Sequence, residues 1–244
     1  MIPLNKDDIC PEFYKEFVTK FKKKVRRYVE KGRIGKKKLR PKVKYFLEYL
    51  LSDDNLMSLL NCPANKLKPH AEKLCETFDI LRDKEHLAFR QIRRIFVDNT
   101  YTTEFPKAEF IRALDIKVCP YCNRSFIECI DKNDKSSPIK GQLDHFYSKE
   151  RYPFLALSRF NLIPCCSDCN GVGGKFTADA DETKLINPYL LKDTNGMKFK
   201  MEITKSSFTN IEECASSIKI LVEETNQSGL EQNIKTFHLQ EIYQ

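Results

Sequence analysis

Cys119-Pro120-Tyr121-Cys122 and, 43 residues further on, Cys166-Ser167-Asp168-Cys169 decide the reading of this 244-residue chain. Each stretch sets two thiols two residues apart, the spacing of a metal knuckle, and two knuckles supply the four thiolates of a tetrahedral Zn²⁺ site. A lone C-x-x-C is equally a redox motif; a second one makes structural zinc the better reading. Cys165 offers an alternative ligand through a Cys165-x3-Cys169 spacing, but Cys166 repeats the two-residue gap of the first pair. Four cysteines around one ion leave no open coordination position, so such a metal folds the site and does no chemistry itself. Cys10, Cys62, Cys75, Cys129 and Cys214 stand singly among apolar or helical residues and read as small buried hydrophobes.

Chemistry must then come from between the knuckles. Ser125–Ile130 alternates like a strand, the polar run 131–138 is turn chemistry, and Ile139–Tyr147 reads as the second strand of a hairpin. Asp144-His145 lies at the end of that strand. Asp144 is a hard oxygen donor suited to Mg²⁺, and His145 is the side chain best matched to general-base work near neutral pH. Two asparagines follow, Asn161 and Asn170. The second comes directly after the last knuckle cysteine, on the expected first turn of a helix, from which its amide oxygen could reach Asp144.

The flanking regions have a different character. Over residues 9 to about 114, Phe13, Phe17, Phe21, Val25 and Tyr28 recur at helical spacing, as do Val43, Phe46, Leu47, Leu50 and Leu51. Pro41 sits where a second helix begins, and further helices are expected over 64–81 and 83–99. The first 50 residues carry a net charge of +10 within a total of +8, concentrated in Lys22-Lys23-Lys24-Val25-Arg26-Arg27 and Lys36-Lys37-Lys38-Leu39-Arg40. Such clusters attract polyanions or form a solvated helix face. Beyond 176, strands are expected over 197–203 and 217–222, a turn at Asn187-Pro188-Tyr189, and a closing amphipathic stretch with Ile234, Phe237, Ile242 and Tyr243. His70, His86 and His238 have no ligand-spaced partners and read as surface or packing residues. No run approaches the roughly 18 apolar residues of a membrane span, and no leader of the secretory kind opens the sequence. With ten cysteines, that composition points to a reducing, cytoplasmic setting.

The ordered set C-x-x-C, Asp-His, Asn-Leu, C-x-x-C-Asn resembles the HNH endonucleases, the zinc-bearing branch of the ββα-metal (His-Me finger) nucleases. The match runs from Cys119 to Lys175. Cys119–Arg124, Leu143–Lys149 and Tyr152–Ser158 further resemble a bacterial subgroup that includes the HNH subunits of Septu-like and retron-associated anti-phage systems. The resemblance implies an α+β fold: a basic helical region (1–114), a treble-clef ββα core on structural zinc (115–176) and a small mixed C-terminal extension (177–244). It implies a DNA phosphodiesterase in which Asp144 and Asn170 hold a catalytic Mg²⁺ or Mn²⁺. His145 activates water, and Asn161 braces the loop that orients it. It places Lys175 near the scissile phosphate; Arg124, Lys149, Arg151 and Arg159 surround the motif and are expected as further phosphate contacts. It also implies DNA as partner, an ATPase subunit beside it and room for a homo-oligomer. Two departures stand out: Ser148 replaces a frequent proline, and Gly171-Val172-Gly173-Gly174 is looser than the usual basic helix start. The competing readings are a zinc-knuckle module that binds nucleic acid without cutting it, and a thiol oxidoreductase on Cys119 and Cys122. No thioredoxin-like βαβ pattern surrounds that pair, which counts against the oxidoreductase.

Overall fold

A computed structural model describes residues 1, 3–4, 12–79, 86–127, 140–176, 178–192, 196–205, 210–224 and 229–244. The amino-terminal part is helical: α1 (Glu12–Lys31), α2 (Pro41–Tyr49), α3 (Asp53–Leu60), α4 (Leu67–Phe78), α5 (Leu87–Arg93) and α6 (Lys107–Leu114). A tight hairpin of β1 (Arg33–Ile34) and β2 (Lys37–Lys38) joins the first two. The apolar stripe of α1 is buried as its spacing requires, with Phe17, Phe21 and Val25 inward. Pro41 occupies the first turn of α2, where its missing N–H costs nothing. Phe46 lies at the centre, within ring contact of Phe78, Phe96 and Phe154. His86 caps α5, its Nδ1 accepting from the backbone N–H of Ala88 at 3.2 Å.

Helix α5 runs straight into a π-helical segment, Arg94–Tyr101. The N–H of Thr102 bonds the carbonyl of Val97, five residues back, and the Thr100 hydroxyl bonds that of Ile95. One residue per turn is thus added relative to an α-helix.

The middle part holds β3 (Gln142–His145), β4 (Leu162–Cys165) and the single-turn helix α7 (Ser167–Asn170), in that order. Here the structure shows a strand pairing that the sequence reading did not name. Strand 142–145 pairs antiparallel with 162–165, His145 opposite Leu162 and Gln142 opposite Cys165. Of the expected first strand, the described residues form only a bridge between Val118 and Phe126, and residues 128–139 lie outside them. Alternation marks a strand but does not name its neighbour, and the run 162–165, buried at every residue, carries no alternation to read.

The carboxy-terminal part contains α8 (Ala180–Thr183), β5 (Met197–Ile203), α9 (Ile211–Ser217) and β6 (Ile218–Glu224). It closes with α10 (Leu230–Thr236) and α11 (Leu239–Tyr243). β5 and β6 pair antiparallel over seven residues. The closing stretch is two helices because His238 between them takes a left-handed conformation. One hydrophobic core runs through all three parts. The Tyr14 hydroxyl of α1 bonds the carbonyl of Leu157, and the Ser158 hydroxyl bonds that of Leu59, so the helical region grips the loop between β3 and β4.

Candidate functional site

The two knuckles meet. The Sγ atoms of Cys119, Cys122, Cys166 and Cys169 all lie within 4.8 Å of one another, and all four residues are buried. The first knuckle turns through a bond from Asn123 N–H to the Cys119 carbonyl, with Asn123 in the left-handed region that asparagine tolerates. The second is the start of α7, where Cys166 Sγ accepts from Cys169 N–H at 3.4 Å. Zn–S arms of 2.3 Å imply tetrahedral edges of about 3.8 Å, and Cys122 and Cys166 sulfurs are 3.9 Å apart. The donor set therefore fits a closed structural zinc. Cys165 is outside the cluster. It sits on β4, and burial followed by the nearby Asp144 charge pushes its thiol up.

The Asp144-His145 pair is carried on β3, both residues buried. Each carboxylate oxygen of Asp144 has a donor: Tyr121 Oη on Oδ2 at 2.7 Å and Lys175 Nζ on Oδ1 at 3.0 Å. Both donors belong to the knuckles' own sequence, Tyr121 inside the first and Lys175 six residues past the second. His145 Nε2 lies 3.2 Å from the carbonyl of Ala156. A carbonyl only accepts, so Nε2 carries the proton and Nδ1 holds the free lone pair. The imidazole packs edge-on against Tyr101 at 4.4 Å between centroids. Burial, and then the charge of Lys149, holds it neutral well below the usual histidine range.

Asn161 is fully buried, and its carboxamide spans the loop after His145. Its Oδ1 accepts from Tyr147 N–H at 2.7 Å, and its Nδ2 donates to the carbonyls of Tyr147 and Leu155, each at 3.1 Å. Its own carbonyl accepts from Phe146 N–H at 2.8 Å. The carbonyl that Nε2 of His145 meets belongs to the residue after Leu155, so this brace also sets the histidine's partner.

Asn170 is placed differently from the expectation. Its Nδ2 donates to Gln142 Oε1 at 2.8 Å, and no bond between it and Asp144 occurs among the described residues. Gln142 and Asp144 are two apart on β3 and share a face, so the Asn170 amide is on the same side of the strand as the carboxylate. Oxygen donors of Asp144, Asn170 and Gln142 suit a hard divalent ion by chemistry. Two of the phosphate contacts need correction. Lys175 is only 1% exposed, with its ammonium on Asp144 and on the His145 carbonyl at 2.7 Å. Arg159 is 2% exposed and stacks on the Phe160 ring. Both face inward because the chain around each is packed against the core. Arg124 is exposed; Lys149 and Arg151 are half-buried, Lys149 near the Tyr101 ring and Arg151 paired with Glu182 at 3.0 Å.

Tyr121, Tyr101, Lys107 and the Ala156 carbonyl were not found in the sequence as site groups. Lys107 Nζ lies 4.5 Å from the centroid of the Tyr101 ring, over the same tyrosine as Lys149. Tyr121 carried a signal, since it sits inside a knuckle; the other three have none, because their roles depend on three-dimensional neighbours.

No known family description matches this chain, and no solved structure matches it. Over 81 residues it is 35% identical to the Septu protein PtuB of Bacillus thuringiensis, a match covering 33% of this chain. The chain spans 27% of that protein's length, so the similarity is partial. Among the described residues no helix is long and apolar enough to cross a membrane.

Proposed function

We propose that this chain is a metal-dependent HNH endonuclease that hydrolyses DNA phosphodiester bonds, built on a treble-clef ββα core around structural zinc. The observation that carries the reading is the setting of His145. Its Nε2 is committed to the Ala156 carbonyl, its ring is held neutral, and it directly follows Asp144 on a strand whose neighbours are the two knuckles. A neutral imidazole with a fixed tautomer takes the proton of an attacking water at Nδ1, a contribution of about 10²–10⁴-fold. Asn161 keeps the loop from Tyr147 to Leu155 in the shape that presents Ala156. Tyr121 and Lys175 fix the plane of the Asp144 carboxylate, and Lys175 acts there instead of on the phosphate. Asp144 and Asn170 would hold the divalent ion, Mg²⁺ or Mn²⁺, which when bound neutralises charge on the phosphate and its leaving oxygen. Arg124, Lys149 and Arg151, joined by Lys107, would take backbone phosphates and give affinity without base specificity.

The similarity to a Septu protein supports a place in anti-phage defence. In that setting the chain would act in the cytoplasm, beside an ATPase subunit or as a homo-oligomer. A double-strand cut needs two such sites. A second reading, a zinc-knuckle module that binds nucleic acid without cutting, draws on one observation: both oxygens of Asp144 already have protein donors.

The test is plasmid cleavage by wild type and His145→Ala with Mg²⁺, Mn²⁺ or EDTA, with zinc content measured alongside. Metal-dependent nicking by wild type, lost in the variant at equal zinc content, is expected. Cleavage that persists in His145→Ala refutes the assignment of the base. Binding by both proteins with cleavage by neither, after a partner subunit has been supplied, favours the second reading.

A further inference from the structure

The cationic run Lys36–Arg40 takes no part in the candidate nuclease site. In the fold this run forms one wall of a groove whose other wall is α5. Two adjoining cavities, of about 610 Å³ and about 470 Å³, share Arg40, Pro41 and Leu87. Six cations line them: Lys37, Lys38, Arg40, Lys42, Arg90 and Arg94. Among the described residues that line them none is a carboxylate, although Lys42 also reaches Asp79 outside the groove. The floor is aliphatic: exposed Pro41 and Leu87, the latter 44% exposed, lie over the buried Ile34 and Leu39.

The groove is held in shape before any ligand arrives. The Gln91 carboxamide accepts from Arg40 N–H at 2.8 Å and donates to the Lys38 carbonyl at 2.7 Å, pinning the strand-to-helix link against α5. Gly35 turns the hairpin with a φ of +56°, and a Cβ there would lie 3.6 Å from the Arg94 guanidinium. The hairpin turn and Arg94 are therefore close neighbours, and the arginine is set at the rim. Such preorganisation lowers the ordering cost of binding.

The lining selects its ligand by two demands at once. The rim calls for several negative charges, with arginine forks suited to phosphate oxygens. The floor calls for a flat or apolar body within a volume typical of small-molecule sites. A bare polyphosphate leaves the floor wet, and a duplex backbone meets cations on an open surface without filling a pocket. We propose that this groove binds a nucleoside phosphate, its base over Pro41 and Leu87 and its phosphates on Lys37, Lys38, Arg40 and Arg94. A free nucleotide and one unit of a single-stranded nucleic acid present the same chemistry. This site does not rest on the nuclease reading.

The experiment is fluorescence anisotropy of the full chain with an N-methylanthraniloyl derivative of ATP, without added divalent ions. Competition by ATP, adenosine, tripolyphosphate and a single-stranded oligonucleotide follows. Saturable binding is expected, displaced by ATP and by neither adenosine nor tripolyphosphate at the same concentration. Arg94→Glu and Leu87→Asp, both at exposed positions, should each weaken binding about tenfold or more, with zinc content and circular dichroism unchanged. If the oligonucleotide competes at lower concentration than ATP, the natural source is a nucleic-acid strand; the reverse order identifies a free nucleotide. The proposal is overturned by non-saturable binding, by tripolyphosphate competing as well as ATP, or by folded variants that bind like wild type. Lys38→Glu, on the two-residue hairpin strand away from the core, repeats the test should either first variant misfold.

Discussion

The interior of residues 12–114 is made of rings and aliphatic chains: Phe17, Phe21, Phe46 and Phe96 pack on one another, and the cations stay outside. Between Cys119 and Lys175 the interior also takes in five thiols, four of them clustered, a carboxylate, an ammonium, a guanidinium, an imidazole and a carboxamide. The first kind of core is cohesive without direction, and its strength grows with area. The second holds only if every polar group finds its partner, because each unpaired one costs free energy. Helices suffice for the first. The second is assembled from four-residue strands and a single helical turn, elements too short to persist without the contacts they support.

The comparison is broken most sharply by removing the metal. Cys122→Ser, or chelation of wild type, takes away binding free energy on the order of 10 kcal/mol. The knuckle segment should then become sensitive to protease while much of the far-UV helical signal survives. Loss of both together would show that the two kinds of core fold as one unit. On the apolar side, Phe46→Ala leaves a cavity among Phe78, Phe96 and Phe154 and should cost about 3–5 kcal/mol, read as the shift in a urea transition with zinc retained. Lys175→Met strands the Asp144 charge and should cost a similar ~3–5 kcal/mol. Here the partner matters: adding Asp144→Leu should recover part of the loss, whereas a purely steric role for Lys175 predicts additive damage in the double variant. Tyr121→Phe is the mildest. It deletes one bond to a charged acceptor and should cost about 1.5–3 kcal/mol, measured in the same transition.

What the sequence revealed follows the same division. The stripe from Phe17 to Val25, the proline at 41 and the strands expected at 197–203 and 217–222 were legible, because periodicity and backbone chemistry are local. The four clustered cysteines were legible by spacing. The pairing of β3 with 162–165 was not, since that partner lies about twenty residues on in the sequence. Nor was the inward course of Lys175. The glycine before it passes so close to the end of α7 that a Cβ at Gly174 would sit 2.4 Å from the Cys169 carbonyl oxygen. The loose glycine run that weakened the resemblance is what lets the chain turn back and deliver an ammonium to Asp144.

The π-helical segment from Arg94 to Tyr101 carries a consequence for how this chain tolerates change in length. Its groove residue Arg94 and its site residue Tyr101 stand at opposite ends of one rod, phased to each other by the widened turns. Deleting one residue from 95–100, with the winding otherwise kept, would turn whatever follows by somewhat less than the roughly 100° step of an α-helix. Tyr101 would leave the face of His145, while the groove at the other end kept its shape. Point substitutions along this rod are absorbed one side chain at a time; its residue count is a dimension of the site.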